Sequence, residues 1–241
     1  MTLSKTFKPK LRYYLQRLGN QCDGGYLVGL HTIKKSKFLI SYGIRDDWSF
    51  EKDFIKINKK IKVYAYDDQL SFFFLLKKII TNFIKIFIPG YKSSFVKSIL
   101  NIFEYFFFFR KMFRRKKIIP GDTLKISKNL SCIFFKLDIE GSEYKILDEF
   151  IMIKDKISGI IIEFHEINKN LNIIENFIKK INLKVTHIHP NNYGGISRNG
   201  IPNLLEITFE KKPKFKNYKV SFPHPLDRAN NPSLDDIILK F

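Results

Sequence analysis

Short, nearly continuous apolar runs alternate along the chain with stretches in which apolar residues recur at helical spacing. Phe38 to Tyr42 (FLISY) is bulky and apolar and ends at Gly43; Ser49 to Asn58 follows, with Phe50, Phe54 and Ile57 on one helical face. This predicts strand, glycine turn, helix. Lys62 to Tyr66 (KVYAY) predicts a second strand, ending at Asp67 and Asp68. Cys132 to Leu137 (CIFFKL) predicts a third, followed by Asp138-Ile139-Glu140-Gly141 and a helix over Ser142 to Ile151 with Ser142 as its N-cap. Ser158 to Glu163 (SGIIIE) is the next apolar run, and Leu171 to Ile181 the next amphipathic helix. Lys184 to Ile188 and Leu204 to Phe209 close the series, joined by a loop from Pro190 to Asn203 rich in Asn, Gly and Pro. Repeated βα units with continuous apolar strands predict an α/β fold: a mostly parallel sheet with helices on both faces.

Ser71 to Ile119 breaks the rhythm. It is rich in Phe, Ile and Lys, runs through Phe106 to Phe109 into Arg110, Lys111, Arg114, Arg115, Lys116 and Lys117, and carries a turn signal at Pro89-Gly90. The segment reads as a helical insertion of two arms, its Phe residues either covering the sheet edge or a second subunit, or forming an interaction surface. Its apolar stretches are interrupted by lysines and fall short of the ~20 residues that a membrane span needs.

Composition narrows the class. The 241 residues carry 43 Lys+Arg against 23 Asp+Glu, a net charge of +20, with 44% hydrophobic residues and 15% aromatics. This describes one globular α/β domain over residues 1–241, with the insertion at 71–119, and excludes a disordered basic tail or a coiled coil. Cys22 and Cys132 offer neither a disulfide framework nor a zinc-ligand spacing, and residues 1–18 carry five basic residues without an apolar core. The expectation is a cytoplasmic chain.

In an open α/β sheet ligands bind beyond the carboxyl ends of the strands, so the residues after each apolar run are the candidates. Gly43 allows close backbone approach, and the helix that follows offers free N–H groups. Asp67 lies 24 positions after Gly43, near the ~20-residue offset at which an acid holds ribose hydroxyls. Asp68 competes for that role, because adjacent strand-end residues point to opposite faces. No G-x-G-x-x-G occurs, which favours a nucleoside cofactor over a dinucleotide.

Taken together, DGGYLV (Asp23 to Val28), SYGIRDDWSFEKDF (Ser41 to Phe54), VYAYD (Val63 to Asp67), FKLDIEGSEYKIL (Phe135 to Leu147), IIIEFHE (Ile160 to Glu166), HIHPNNYGG (His187 to Gly195) and PNLLEITF (Pro202 to Phe209) resemble the FkbM-like S-adenosylmethionine-dependent methyltransferases, above all bacterial members that modify surface carbohydrates. The likeness covers most of the chain outside the insertion, and K-x-D-I-E-G-S-E is its most specific part. It implies a Rossmann-like class I methyltransferase fold, a seven-stranded sheet whose last hairpin is antiparallel, with S-adenosylmethionine as cofactor. By the same resemblance Gly43 and its neighbours Ile44, Arg45, Trp48 and Glu51 belong to the cofactor loop, Asp67 holds the ribose, and Asp138 stands where donor and acceptor meet. The family's third strand is not visible, because the insertion occupies its place. Asp23 to Tyr26 match a motif that closes over the cofactor or forms a tight turn.

Asp138, Glu140, Glu143, Glu163, His165, Glu166, His187, His189, Asn191 and Asn192 all fall at or just beyond the ends of three apolar runs. Methyl transfer to a hydroxyl needs an in-line acceptor oxygen and a base for its proton. His165, the favoured candidate, and His189 suit that role, with Asp138 or Glu163 orienting the imidazole or acting as base. The same groups could hold a divalent metal, although no specific ligand motif is present. The expected acceptor is a sugar, nucleotide-sugar or glycan precursor. The charge would draw in an acidic acceptor or hold the chain on an anionic inner membrane face. A nucleic-acid-binding protein or a membrane-surface scaffold with a degenerate fold are the alternatives; no recognition helix or RNA-binding signature supports nucleic acid, and a homo-oligomer stays open.

Overall fold

Seven strands pair into one sheet in the computed structural model, which describes residues 2–85, 91–216 and 220–241, with the backbone alone over 91–93. They are β1 (Phe38–Tyr42), β2 (Lys62–Asp67), β3 (Phe113–Arg115), β4 (Ile133–Leu137), β5 (Ile157–Phe164), β6 (Lys184–Pro190) and β7 (Leu205–Glu210). Their spatial order is β3-β2-β1-β4-β5-β7-β6. Only β7 runs against its neighbours, antiparallel to β5 and β6; the other pairings are parallel. The chain leaves β1 toward β2 on one side and returns to β4 on the other. The crevice between the carboxyl ends of β1 and β4 is therefore the topological switch point, where such sheets take their ligands. The fold is Rossmann-like, with the antiparallel final hairpin that the resemblance implies.

Alternation along the strands builds two apolar layers. Leu39, Phe134 and Ile161 face one side, packed with Ile33 of α1 (Leu30–Lys35) and with Phe50 and Phe54 of α2 (Ser49–Ile57). Between β2 and β3 the chain forms α3 (Phe72–Ile84), α4 (Tyr91–Glu104) and a π-helical turn over Tyr105–Phe109. Ile40, Tyr42, Phe135, Ile160 and Ile162 face the opposite side, covered by α5 (Asp122–Ser127), α6 (Leu147–Met152) and α7 (Ile167–Lys180) through side chains such as Phe150, Ile174 and Phe177. A hairpin of Leu15–Gly19 with Gly25–Gly29 carries the DGGY motif at its turn, and Leu3 donates its N–H to the Lys240 carbonyl at 2.9 Å.

Two expectations are corrected here. The insertion is not helical throughout: Phe113–Arg115 forms the third strand, Ala65 pairing with Phe113. Two arginines in a three-residue edge strand leave no apolar run to read. The helix expected over Ser142 to Ile151 is a 3-10 turn, Glu143–Lys145, followed by α6, and the Ser142 side chain makes no cap bond. Glu143 is turned into the protein, toward His165. The two arms of the insertion are present as α3 and α4, whereas the turn expected at Pro89-Gly90 lies outside the described residues. Among the described residues no helix is long and apolar enough to cross a membrane.

Candidate active site

A cleft of about 310 Å³ opens at the carboxyl ends of β1, β2 and β4, lined among others by Gly43, Arg45, Asp67, Asp68, Lys116, Asp138, Glu140 and Ser142. Gly43 has φ +72°, and a Cβ there would stand 1.6 Å from the Asp138 carbonyl oxygen. Only glycine lets the ends of β1 and β4 meet this closely. Beside it, Arg45 (φ 50°), Glu140 (φ 52°) and Glu166 (φ 47°) take left-handed backbone conformations at the ends of β1, β4 and β5. Such conformations in non-glycine residues are held by their surroundings and concentrate at functional sites.

Asp67 occupies the position expected of a ribose ligand, yet its carboxylate is engaged by the main chain. Oδ2 accepts from the N–H of Ile44 (2.9 Å) and Arg45 (2.8 Å), and Oδ1 from the N–H of Gln69 and Leu70, both at 2.8 Å. Four donors fill the four lone-pair directions of a carboxylate. Asp67 thus fastens the loop after β1 to the loop after β2, and Asp68, exposed on the cleft wall, is the carboxylate left open to a ligand.

Three residues expected in the cofactor loop lie outside the cleft. Ile44 is buried and contributes its N–H to Asp67. Trp48 is buried against the insertion: its ring stacks on Phe109 with centroids 4.8 Å apart, and its Nε1–H donates to Glu104 at 2.8 Å. Glu51 is fully buried, and neither carboxylate oxygen has a hydrogen-bond partner among the described residues. Burial pushes its carboxyl above the usual range, against the pull of Lys136, itself buried with Nζ 5.5 Å from the centre of the Tyr26 ring. Helical spacing after Gly43 cannot tell which face turns to the cleft, and Trp48 and Glu51 both turn inward.

Through Asp138 the cleft meets a second group. Asp138, Glu163 and His165 each bring one donor atom within 4.8 Å of the others. Glu143, fully buried, accepts the His165 main-chain N–H at 2.8 Å and lies 3.2 Å from Nδ1. With the carboxylate oxygen as acceptor in this contact, the ring proton sits on Nδ1. Nε2 is left toward the carboxylates, with Glu140 at 3.5 Å. The Tyr144 hydroxyl donates to the His165 carbonyl and fixes it further.

Asparagines knit the acids together. Asn191 Nδ2 donates to Glu163 (3.1 Å) and Asp23 (3.3 Å), and Asn230 Nδ2 to Asp23 (3.2 Å) and Glu206 (2.7 Å). Burial pushes Asp138 up to about 6, against the pull of Lys136 and His165 and with Glu140 and Asp23 adding to the rise. Burial likewise holds Glu163 well above the usual carboxylate range, with Asp138, Glu206 and Asp23 reinforcing it. Burial alone would lower His165, but its hydrogen bond to Glu143 and the charges of Glu143, Asp138 and Glu140 prevail and raise it.

His189 is buried and paired with acids: burial opposes its charge, yet Asp236 at 3.4 Å and Glu206 at 3.7 Å push it up to about 10, which disfavours the neutral form that a base needs. His187 is paired with Asp227 at 2.8 Å. Glu206 and Lys136 were not singled out from sequence, although an ionisable residue inside an apolar strand is a readable signal in LLEITF and CIFFKL. Asn230, Asp227 and Asp236 carry no such signal and arrive through the fold of residues 220–241.

No model of a known protein family matches the chain, and no curated protein matches it. Solved structures with a similar fold include a precorrin-6y C5,15-methyltransferase from Geobacter metallireducens, 11% identical, with 76% of this chain and 86% of that one covered at a TM-score of 0.39. A putative RNA methyltransferase from Pyrococcus horikoshii is 12% identical over 74% of this chain and 76% of its own, TM-score 0.38. An O-methyltransferase from Bacillus cereus in complex with SAH is 11% identical over 76% and 77%, TM-score 0.35. Likeness at this level carries no argument about activity, and the fold rests on the strand order and register given above.

Proposed function

We propose that the chain is an S-adenosylmethionine-dependent O-methyltransferase of the FkbM-like kind, acting on a hydroxyl of a sugar, nucleotide-sugar or glycan precursor. The observation that carries this reading is the position of Asp138, which lines the switch-point cleft and also belongs to the cluster of Glu163 and His165. A ligand in the cleft and a second ligand on the cluster would meet at one carboxylate. The cleft residues suit an adenosyl sulfonium: Asp68 is open to vicinal hydroxyls, Asp138 and Glu140 offset positive charge, and Gly43 removes the side chain where the backbone must be approached.

The cofactor, when bound, supplies an electrophilic methyl whose C–S bond breaks as the acceptor O–C bond forms, leaving S-adenosylhomocysteine. Glu143 holds the Nδ1 proton of His165, and Nε2 takes the acceptor's hydroxyl proton. Asp138 and Glu163 accept from the acceptor's hydroxyls and orient the reacting oxygen. Calorimetric titration with S-adenosylhomocysteine, and tritium transfer from labelled S-adenosylmethionine to a panel of sugars and nucleotide-sugars, test the reading. His165→Gln should retain cofactor binding and lose turnover by about 100-fold or more; absence of any S-adenosylhomocysteine binding by the native chain would sink it.

One observation favours a second reading of the cluster. Asp138, Glu163 and His165 have the donor types of a divalent-cation site, and a ligating imidazole ordinarily donates its other N–H to a carboxylate, as His165 does to Glu143. Under this reading turnover is lost in chelator and restored by Mg²⁺ or Mn²⁺, while His165→Gln weakens metal binding measured by calorimetry.

A further inference from the structure

The hairpin of α3 and α4 packs Leu75, Phe74 and Ile102 into an apolar cluster with Trp48, Phe109 and Phe113. Between the helices, Phe83 meets Phe95 with ring centres 5.5 Å apart, and polar contacts lie beside them: Asn82 donates to the Ser98 hydroxyl (2.7 Å) and the Ser94 carbonyl (3.3 Å), Ser98 donates to the Ser94 carbonyl (2.8 Å), and Asn101 donates to the Asp46 carbonyl (2.8 Å). The outer faces of the hairpin are apolar. Phe73, Ile80 and Ile84 form one stripe on α3, with exposures of 79, 58 and 72%; Leu100, Phe103 and Phe107 form another, from α4 into the π-helical turn, at 55, 57 and 82%. Soluble helix pairs ordinarily leave a polar face outward, whereas here a second apolar face remains exposed beyond the one that is buried.

The sequence left open whether these aromatics cover the sheet, meet a second copy or face a membrane. The first is excluded for the outer stripes by their exposure, since the insertion docks through other residues. Trp48 stacks on Phe109, Lys52 pairs with Glu104 at 2.6 Å, and Lys78 pairs with Asp46. Charge chooses between the other two. Residues 71–119 hold eleven Lys and Arg against a single acid, Glu104, which is half of the net charge of the whole chain. Two such surfaces face to face would repel, whereas an anionic headgroup layer complements them.

We propose that this hairpin docks on an anionic bilayer surface, its outer stripes entering the acyl boundary and its basic residues meeting the headgroups. Lys77, exposed within the α3 stripe, reaches the headgroups along its apolar stem. With 13 and 14 residues the helices are each about 20 Å long, so they lie in the interface and do not span it. Asp46 and Asp47, which follow Arg45 of the cleft lining, are held by Lys78 and Asn101 and by Lys97 (4.0 Å to Asp47), so the hairpin is fastened to the loop beside the cleft. This inference does not depend on the proposed methyl transfer.

Co-sedimentation of the full chain with phosphatidylcholine vesicles, with and without phosphatidylglycerol, tests it at low and high salt. Binding is expected to the phosphatidylglycerol vesicles only, to weaken as salt is raised, and to fall at least about tenfold in the double variant Phe73→Ser/Phe107→Ser. Far-UV circular dichroism and thermal melting of that variant should match the native chain, because both residues are outside the core. Absence of binding to phosphatidylglycerol vesicles at low salt overturns the proposal, as does equal binding to phosphatidylcholine alone. A dimer by analytical ultracentrifugation that the double variant abolishes, without vesicle binding by the native chain, overturns it in favour of a second copy.

Discussion

A carboxylate that already accepts four main-chain amides has no lone pair left for a ligand, so Asp67 and Asp68 divide between them the roles that sequence leaves undecided. Asp67→Asn replaces an acceptor by an NH₂ group facing backbone N–H donors. It should cost about 2–3 kcal/mol in urea unfolding. Asp68→Asn should leave stability within about 0.5 kcal/mol and weaken S-adenosylhomocysteine binding at least about tenfold by calorimetry. Asp138 offers a second contrast at this scale. Its folded value, about 6, lies above its ordinary 3.8, so folding favours the protonated form. Its contribution is fully present below pH 3.8 and is lost as pH rises to about 6. Asp138→Asn should therefore raise the melting temperature at pH 7.5 by roughly 5 °C and have little effect near pH 3.5, while turnover collapses. A lowered melting temperature at pH 7.5 would contradict the crowding of acids described for this site.

At the scale of elements, legibility follows burial. β1, β4 and β5 are buried on both faces, so their sequences are continuous apolar runs and their positions can be read directly. β3 lies at the edge, with both arginines exposed, and leaves no run. The 3-10 turn before α6 exists because Glu143 is drawn inward to His165, a tertiary contact that outweighs local helix preference. The acids at the ends of β4 and β5 were legible because strand ends position ligands in this fold class. The inward turn of Trp48 and Glu51 was not, because it depends on a helical insertion that shields one and a buried lysine that faces the other. Trp48, at the start of α2, and Lys52 within it link this helix to the insertion. Trp48→Ala should destabilise the chain by about 3–5 kcal/mol, and limited proteolysis should then cut first within residues 71–119; cleavage elsewhere first would mean that another contact holds the hairpin.

Across the whole molecule, the segment 220–241 clamps the far side of the sheet through charged pairs. His189, raised from 6.5 to about 10, pairs with Asp236 and Glu206. A histidine raised on folding stabilises fully below its unfolded value, and the contribution is lost as pH climbs through the folded one. Melting temperature should fall between about pH 7 and pH 10, and His189→Gln should flatten that decline. A native profile that stays level to pH 10 would remove the pair from the account.

The Asp23 carboxylate receives Asn191 and Asn230 at 3.3 and 3.2 Å, the second across 207 positions of sequence. A contact of that reach carries a large loop-closure cost. The cluster of acids that these amides hold together is therefore expected to open before the centre of the sheet. The Gly43 crevice, joined through contacts between β1, β2 and β4, can outlast it. On gentle heating or in dilute denaturant the amides of residues 23–26 and 227–236 should exchange hydrogen before those of β1 and β4. On the proposed reading, a chain in that condition would still hold a nucleoside and would have lost the means to use it.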